Sequence, residues 1–176
     1  MKLKIFKFKK VKSTNNTAIR IIKNSNFNFG IVFSEAQNNG RGQYGKKWIS
    51  YKGNLFVSLF FKIDKLKISF KKLTRLNCLL VRKIISNHYK KKIVFKRPND
   101  LLINKKKICG ILQETLIKFD GKYLILGIGI NLVKSPYIKN YPTTSLSEVL
   151  NKKVSINKIR DEIKKIFEIK FTKLYG

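Results

Sequence analysis

The 176 residues carry 40 Lys+Arg against 9 Asp+Glu, a formal net charge of +31, and 43% of them are hydrophobic. That apolar share supports a folded domain with a real core and excludes a disordered basic tail. No apolar run reaches the roughly 20 residues of a bilayer-spanning helix, and two cysteines, Cys78 and Cys109, are too few for a disulfide framework. The charge would attract nucleic acid, an anionic membrane or an acidic protein. Lysine, asparagine and isoleucine are raised together along the whole chain, as AT-rich codons would make them, and we assign most of the charge to that cause.

The opening Met-Lys-Leu-Lys-Ile-Phe-Lys-Phe-Lys alternates lysine with apolar residues. It predicts a strand over residues 2–9, lacks the continuous apolar stretch of a signal peptide, and makes the cytoplasm the default location. Ser13 or Thr14 reads as an N-cap, and Ala18, Ile21 and Ile22 stand at helical spacing in a short helix ending near Lys23. A turn at 24–28 leads to strands at 29–36 and 55–62. The spacing of Leu73, Leu76, Leu80, Ile84 and His88 predicts a long helix over 70–89. A short strand at 93–96 and a Lys-Arg-Pro-Asn-Asp turn at 96–100 follow. Strands at 107–118 and 122–132 are joined by a two-residue hairpin signal at Asp120-Gly121. Residues 142–150 supply a proline and a short helix, and Ser155 caps a last helix carrying Ile156, Ile159, Ile163, Ile166, Phe167 and Leu174. This order predicts an α+β fold, a single domain over 1–176 whose mixed or antiparallel sheet is backed by helices on one face.

Residues 34–48 stand out. Gly40, Gly42 and Gly45 are interleaved with Arg41, Lys46 and Lys47, and Trp48 closes the segment. Glycine permits close backbone approach, the cations suit phosphate or carboxylate, and the indole offers a flat face. The segment reads as a loop around an anionic, ring-bearing ligand such as a nucleotide, mobile when empty and ordered when filled. Its literal Gly-x-Gly-x-x-Gly pattern marks a dinucleotide site only where a helix follows. Residues 55–61, Leu-Phe-Val-Ser-Leu-Phe-Phe, are strand-like instead, which excludes that fold.

Four further segments carry candidate chemistry. Ser13-Thr14-Asn15 is either a helix cap or a ligand contact. Arg97-Pro98-Asn99-Asp100 is ordinary turn chemistry, although Asp100, one of few acids, would suit Mg²⁺ beside a nucleotide. Gly110 in the strand from Lys107 to Leu112, and Gly127 and Gly129 one strand later, weaken their strands unless something must approach closely. Side by side they make a flat floor for a small ligand. Cys109 reads as a small buried hydrophobe, and His88, the single histidine, as structural or solvated. With no nucleophile or acid/base pair in view, the residues suit chemistry done by positioning and electrostatics on phosphate.

In order and spacing over about residues 12–132, these segments resemble the catalytic domain of biotin–protein ligase. The matches are Ser13-Thr14-Asn15; Gln37, Gly40-Arg41-Gly42, Gly45 and Trp48; Lys96, Pro98-Asn99-Asp100; Lys107, Gly110-Ile111-Leu112, Glu114; and Gly127, Gly129-Ile130-Asn131. The resemblance implies a class II aminoacyl-tRNA synthetase-like fold. It also implies ATP-dependent activation of biotin to biotinyl-5′-AMP, then transfer to a carrier lysine. It assigns the ureido ring to Ser13, Thr14 and Gln37, with Asn15, Gly40, Gly110, Leu112, Gly127 and Gly129 around biotin. Arg41 is implied to hold the carboxylate and later the phosphate, and Lys107 to neutralise the α-phosphate and activated carbonyl. Gln43, Lys46, Trp48 on the adenine side, Asn99 and Asn131 are the implied nucleotide contacts, and Asp100 the Mg²⁺ group. The implied partner is the biotin carboxyl carrier protein domain of acetyl-CoA carboxylase or a similar carboxylase. A homodimer is left open, and neither specific DNA nor a membrane is implied.

This chain departs from that pattern at Gln43, where arginine is usual, at Arg97, where tryptophan is usual, and at Lys12, where an acid is common. The start and end imply no N-terminal winged helix and no small C-terminal SH3-like barrel. Two alternatives stand beside this reading: a lipoate– or octanoyl–protein transferase of the same fold, and a basic nucleic-acid-binding module.

Overall fold

A computed structural model of the chain describes residues 2–175. In chain order it contains β1 (Lys4–Val11), α1 (Thr14–Lys23), β2 (Phe29–Gln37), the two-residue strands β3 (Gly40–Arg41) and β4 (Lys47–Trp48), and β5 (Leu55–Lys62). There follow α2 (Phe70–His88), β6 (Val94–Lys96), β7 (Asp100–Ile103), β8 (Lys106–Lys118), β9 (Gly121–Ile130), α3 (Leu146–Leu150) and α4 (Ile156–Tyr175). Seven strands pair in the order β1-β2-β5-β9-β8-β7-β6. The β1–β2 pair is parallel and every other pair in this sheet is antiparallel, so the sheet is mixed as expected.

Helices cover both faces of the sheet, not one. Ile31, Phe33, Leu59, Phe61, Leu124 and Leu126 point toward α2 and α4, where Phe61 stacks on Phe171 with ring centroids 3.7 Å apart. Their sequence neighbours Val32, Phe60, Tyr123 and Ile125 point the other way and pack on Ala18 and Ile22 of α1. The physical cause is visible in β5, which is buried at every position from Leu55 to Phe61. A strand that is apolar without alternation needs cover on both sides.

On the α1 face the cover is incomplete. α1 spans the end of the sheet that carries Tyr123 and Ile125, with Leu116 beside them. Continuing along the same face, at two-residue steps, β9 presents Gly127 and Gly129, while β8 presents Glu114, Leu112 and Gly110. Gly110 pairs directly with Gly129, and Leu112 with Gly127. The missing side chains leave a depression in the sheet floor, and that depression becomes the site.

Several boundaries differ from the sequence expectations. β7 was not expected. It joins β8 through Asn104 and Lys105, both left-handed (φ 49° and 63°), a two-residue turn with no glycine to announce it. The later hairpin turns at Phe119 and Asp120, with Lys118 paired to Gly121, so Asp120-Gly121 is one residue late. In α2 the buried stripe is Leu73, Asn77, Cys78, Val81, Ile84 and Ile85, with Leu76 and Leu80 only half-buried at its edge. His88 Nε2 lies 3.1 Å from Glu162 Oε1, tying α2 to α4. Among the described residues no helix is long and apolar enough to cross a membrane.

Candidate active site

The depression is the floor of a cleft of about 740 Å³, within the size range of small-molecule sites. The start of α1 forms one end, the 38–48 loop overhangs it, and the 96–100 turn with Lys107 and Tyr141 forms the other end. Its closed end is polar. Ser13, Thr14 and Asn15 are buried there because α1 begins against the sheet. The Ser13 side chain does not cap the helix. Thr14 donates to Gln37 Oε1 through both its backbone N–H (2.8 Å) and its hydroxyl (3.2 Å). Gln37 Nε2 donates to Ser50 Oγ at 3.1 Å. These bonds orient the Gln37 amide and leave one of its two N–H hydrogens for a ligand.

Asn15 is a hub. Its Oδ1 accepts from Ser58 Oγ (2.5 Å) and its Nδ2 donates to Glu114 Oε2 (2.6 Å). It also explains Gly127: a Cβ there would fall 2.3 Å from Asn15 Oδ1. Glu114 Oε2 accepts in turn from Arg41 Nη2 at 2.6 Å. With side chains 35% and 26% exposed, this ion pair contributes at most about 1 kcal/mol to stability. Its effect is to aim the guanidinium. Arg41 Nε is buried with no hydrogen-bond partner among the described residues.

At the other end Lys107 Nζ lies 2.9 Å from Asp100 Oδ1, and both side chains are largely buried. The Tyr141 hydroxyl donates to Asp100 Oδ2 at 2.7 Å. Burial pushes the Tyr141 hydroxyl pKa well up, and the Asp100 carboxylate adds to that. The Lys107 ammonium also stands 5.4 Å from the Trp48 ring. The indole itself lies across the glycine floor, since a Cβ on Gly129 or Gly110 would come within 2.5 or 2.6 Å of it. The cleft therefore joins a polar end, flanked by the Arg41–Glu114 pair, to the Lys107 ammonium over an apolar floor, an arrangement that fits a polar ring, an aliphatic chain and an anion.

A model described as the biotin/lipoate A/B protein ligase family matches residues 7–131. The chain belongs to this family. Among curated ligases it is 31% identical, over 90% of its own length, to the bifunctional ligase/repressor BirA of Bacillus subtilis (strain 168), and covers 51% of that protein. The chain spans about half the length of these curated Bacillus relatives. Among solved structures it superposes on biotin protein ligase from Leishmania major in complex with biotinyl-5-AMP (TM-score 0.80, 27% identity, 94% of this chain and 74% of that one). It superposes equally on biotin protein ligase from Aquifex aeolicus in complex with biotin and ATP (TM-score 0.80, 25% identity, 97% and 71%).

Within this ligase-family chain the structure gathers most residues singled out in the sequence around one cleft, but not all. Gly40 lines a neighbouring pocket of about 460 Å³ between the loop and Leu112 and Glu114 of β8, with Gln43 and Lys46 among the residues shared with the cleft. Trp48 lies across the glycine floor, over Gly110 and Gly129. Asn99 borders the cleft, but its Nδ2 donates to the Ile111 carbonyl at 3.0 Å. Asn131 does not line the cleft. It is 1% exposed, and its Nδ2 donates to the Thr144 carbonyl at 3.1 Å. Asp100 Oδ2 accepts from the Tyr141 hydroxyl, and its Oδ1 is ion-paired with Lys107 at 2.9 Å without a hydrogen bond. Among the described residues no three His, Cys, Asp or Glu side chains come together to hold a metal. Cys109 is fully buried, and burial pushes its thiol pKa well up, as for an inert packing residue.

Glu114 and Tyr141 are site residues to which sequence reading assigned no role. Glu114 belonged to a matched segment, but its partners Arg41 and Asn15 are distant in sequence. Tyr141 sits in a stretch without motif character, and only the fold brings it to Asp100. The family match also accounts for the glycine loop and its companions without recourse to a basic nucleic-acid module.

Proposed function

We propose that this chain activates biotin with ATP and passes it to a carrier lysine. The observation that carries this reading is the cleft itself, in which the buried Thr14 and the half-buried Gln37 share one cavity with two cations, Arg41 and Lys107, over a glycine floor on which the Trp48 indole lies. In the first step a biotin carboxylate oxygen attacks the α-phosphorus of ATP, the bond to the β-phosphate oxygen breaks, and pyrophosphate leaves. Arg41 holds the carboxylate and Lys107 neutralises charge building on the α-phosphate, an electrostatic contribution in a partly water-excluded site. In the second step the carrier lysine amine attacks the carbonyl of biotinyl-5′-AMP and AMP leaves. Mg²⁺ enters as part of the nucleotide substrate, since Asp100 is engaged elsewhere. The acceptor is a biotin carrier domain, and two free, buried thiols suit the reducing cytoplasm.

A biotin-dependent ATP–pyrophosphate exchange assay tests this proposal; no exchange above the biotin-free background overturns it. Lipoate is the rival substrate within the family. Its dithiolane ring offers no strong acceptor to the free Gln37 N–H, a cost of about 1–3 kcal/mol. Calorimetry with biotin and lipoate separates the two, and tighter lipoate binding would reverse the assignment.

Gln43 borders the cleft from the short helical turn Gln43–Gly45. A neutral amide there gives the adenylate phosphate a weaker contact than a guanidinium would. Gln43→Arg is expected to slow release of biotinyl-5′-AMP by about tenfold, the effect of one charge-assisted hydrogen bond. Stopped-flow release of the preformed intermediate measures this, and an unchanged rate removes Gln43 from the phosphate contacts.

A further inference from the structure

One short segment holds Lys107 from several sides. The Lys107 N–H donates to the Pro142 carbonyl (2.8 Å), and the Thr144 N–H donates to the Lys107 carbonyl (2.9 Å). Beside these bonds, the Tyr141 hydroxyl donates to Asp100 Oδ2 (2.7 Å) while Asp100 Oδ1 meets Lys107 Nζ (2.9 Å). The Tyr141 ring stands 5.5 Å from Lys107 Nζ and 4.2 Å from Lys96 Nζ, within reach of a cation–π attraction. Asn131 secures the segment from behind, through its amide to the Thr144 carbonyl and its own carbonyl to the Leu146 N–H.

We propose that Tyr141 is a positioning residue for Lys107, acting through Asp100; this role rests on the adenylation reading above. A lysine ammonium is a point charge on a flexible four-carbon stem, so its place is set by its partners. An aspartate can rotate about its last bond and offer either oxygen. The Tyr141 hydroxyl occupies Oδ2, fixes that rotation, and leaves Oδ1 facing Lys107. Because burial and the adjacent carboxylate hold the Tyr141 proton in place, the donor persists throughout the physiological pH range. Asn131, expected among the nucleotide contacts, acts one step further back by holding the Tyr141 segment.

The test is Tyr141→Phe, which keeps the ring and removes only the hydroxyl. Its kcat for biotin-dependent pyrophosphate exchange is expected to fall about tenfold, as for a hydrogen bond to a charged group. KM for biotin should stay within about twofold, and Tm should stay close to that of the parent. In an Asp100→Asn background the same change should add less than about twofold, because its route to Lys107 is already cut. An unchanged kcat, a loss carried by KM or by unfolding alone, or the full tenfold loss in the Asp100→Asn background would each overturn the proposal. If the parent chain shows no biotin-dependent exchange, the adenylation reading falls separately. The positioning role then shows in competitive acetylation, where Tyr141→Phe should raise Lys107 labelling at least about threefold over exposed Lys105 as the ammonium is freed. Equal labelling overturns it.

Discussion

Replacing Lys107 with alanine is expected to slow the proposed adenylate formation at least about 100-fold, a loss of about 2.7 kcal/mol in transition-state stabilisation. Two effects act in the same direction. On the proposed reading the ammonium that would neutralise the α-phosphate is gone, and Asp100, 8% exposed, loses its counter-ion. A buried carboxylate without its partner is costly in itself and repels phosphate. Single-turnover pyrophosphate release from biotin and ATP gives the rate directly. Near-normal release by the alanine variant would reject Lys107 as the phosphate-facing cation. The variant should still bind biotin, since the polar end of the cleft is made by other residues.

Gly127→Ala should weaken biotin binding about 100-fold, or about 2.8 kcal/mol at 1.4 kcal/mol per tenfold. Backbone strain plays no part, because the positive-φ glycines are Gly45, Gly53 and Gly121. The effect comes from volume. The new methyl would sit 2.3 Å from Asn15 Oδ1, and Asn15 is buried and held by both Ser58 and Glu114. Asn15 must move, Glu114 loses a donor, and Arg41 loses the carboxylate that aims it. One methyl group thus disturbs the polar end and the cationic loop together. Calorimetric titration with biotin measures the affinity, with thermal melting as the control for folding. An unaltered affinity would remove the glycine floor from the biotin site.

Much of this chain is legible from local pattern. The helices show 3.6-residue periodicity, the strands carry β-branched and aromatic runs, and glycines inside β8 and β9 are improbable without a reason. Such signals lie within a few residues of one another. What was not legible depends on distant pairing. β7 is short and its turn uses Asn104 and Lys105 in left-handed conformations without glycine. The placement of helices on both faces follows only once β5 sits centrally between β2 and β9. Asp100, read as a metal group from its scarcity and turn context, is engaged by Lys107 and by Tyr141 from a segment without motif character.

The sequence by itself determined the fold class, the glycine loop with Arg41, the polar start of α1, and the strand carrying Lys107, because each is a local pattern of residue types at fixed spacing. Only the tertiary structure decided what those groups touch. It laid Trp48 on the glycine floor, joined Arg41 to Glu114 and Asn15, withdrew Asn131 behind the cleft, and set Tyr141 against Asp100. Hydrogen bonds and ion pairs depend on ångström-scale distances between residues remote in the chain, and those distances exist only after the sheet has ordered its strands.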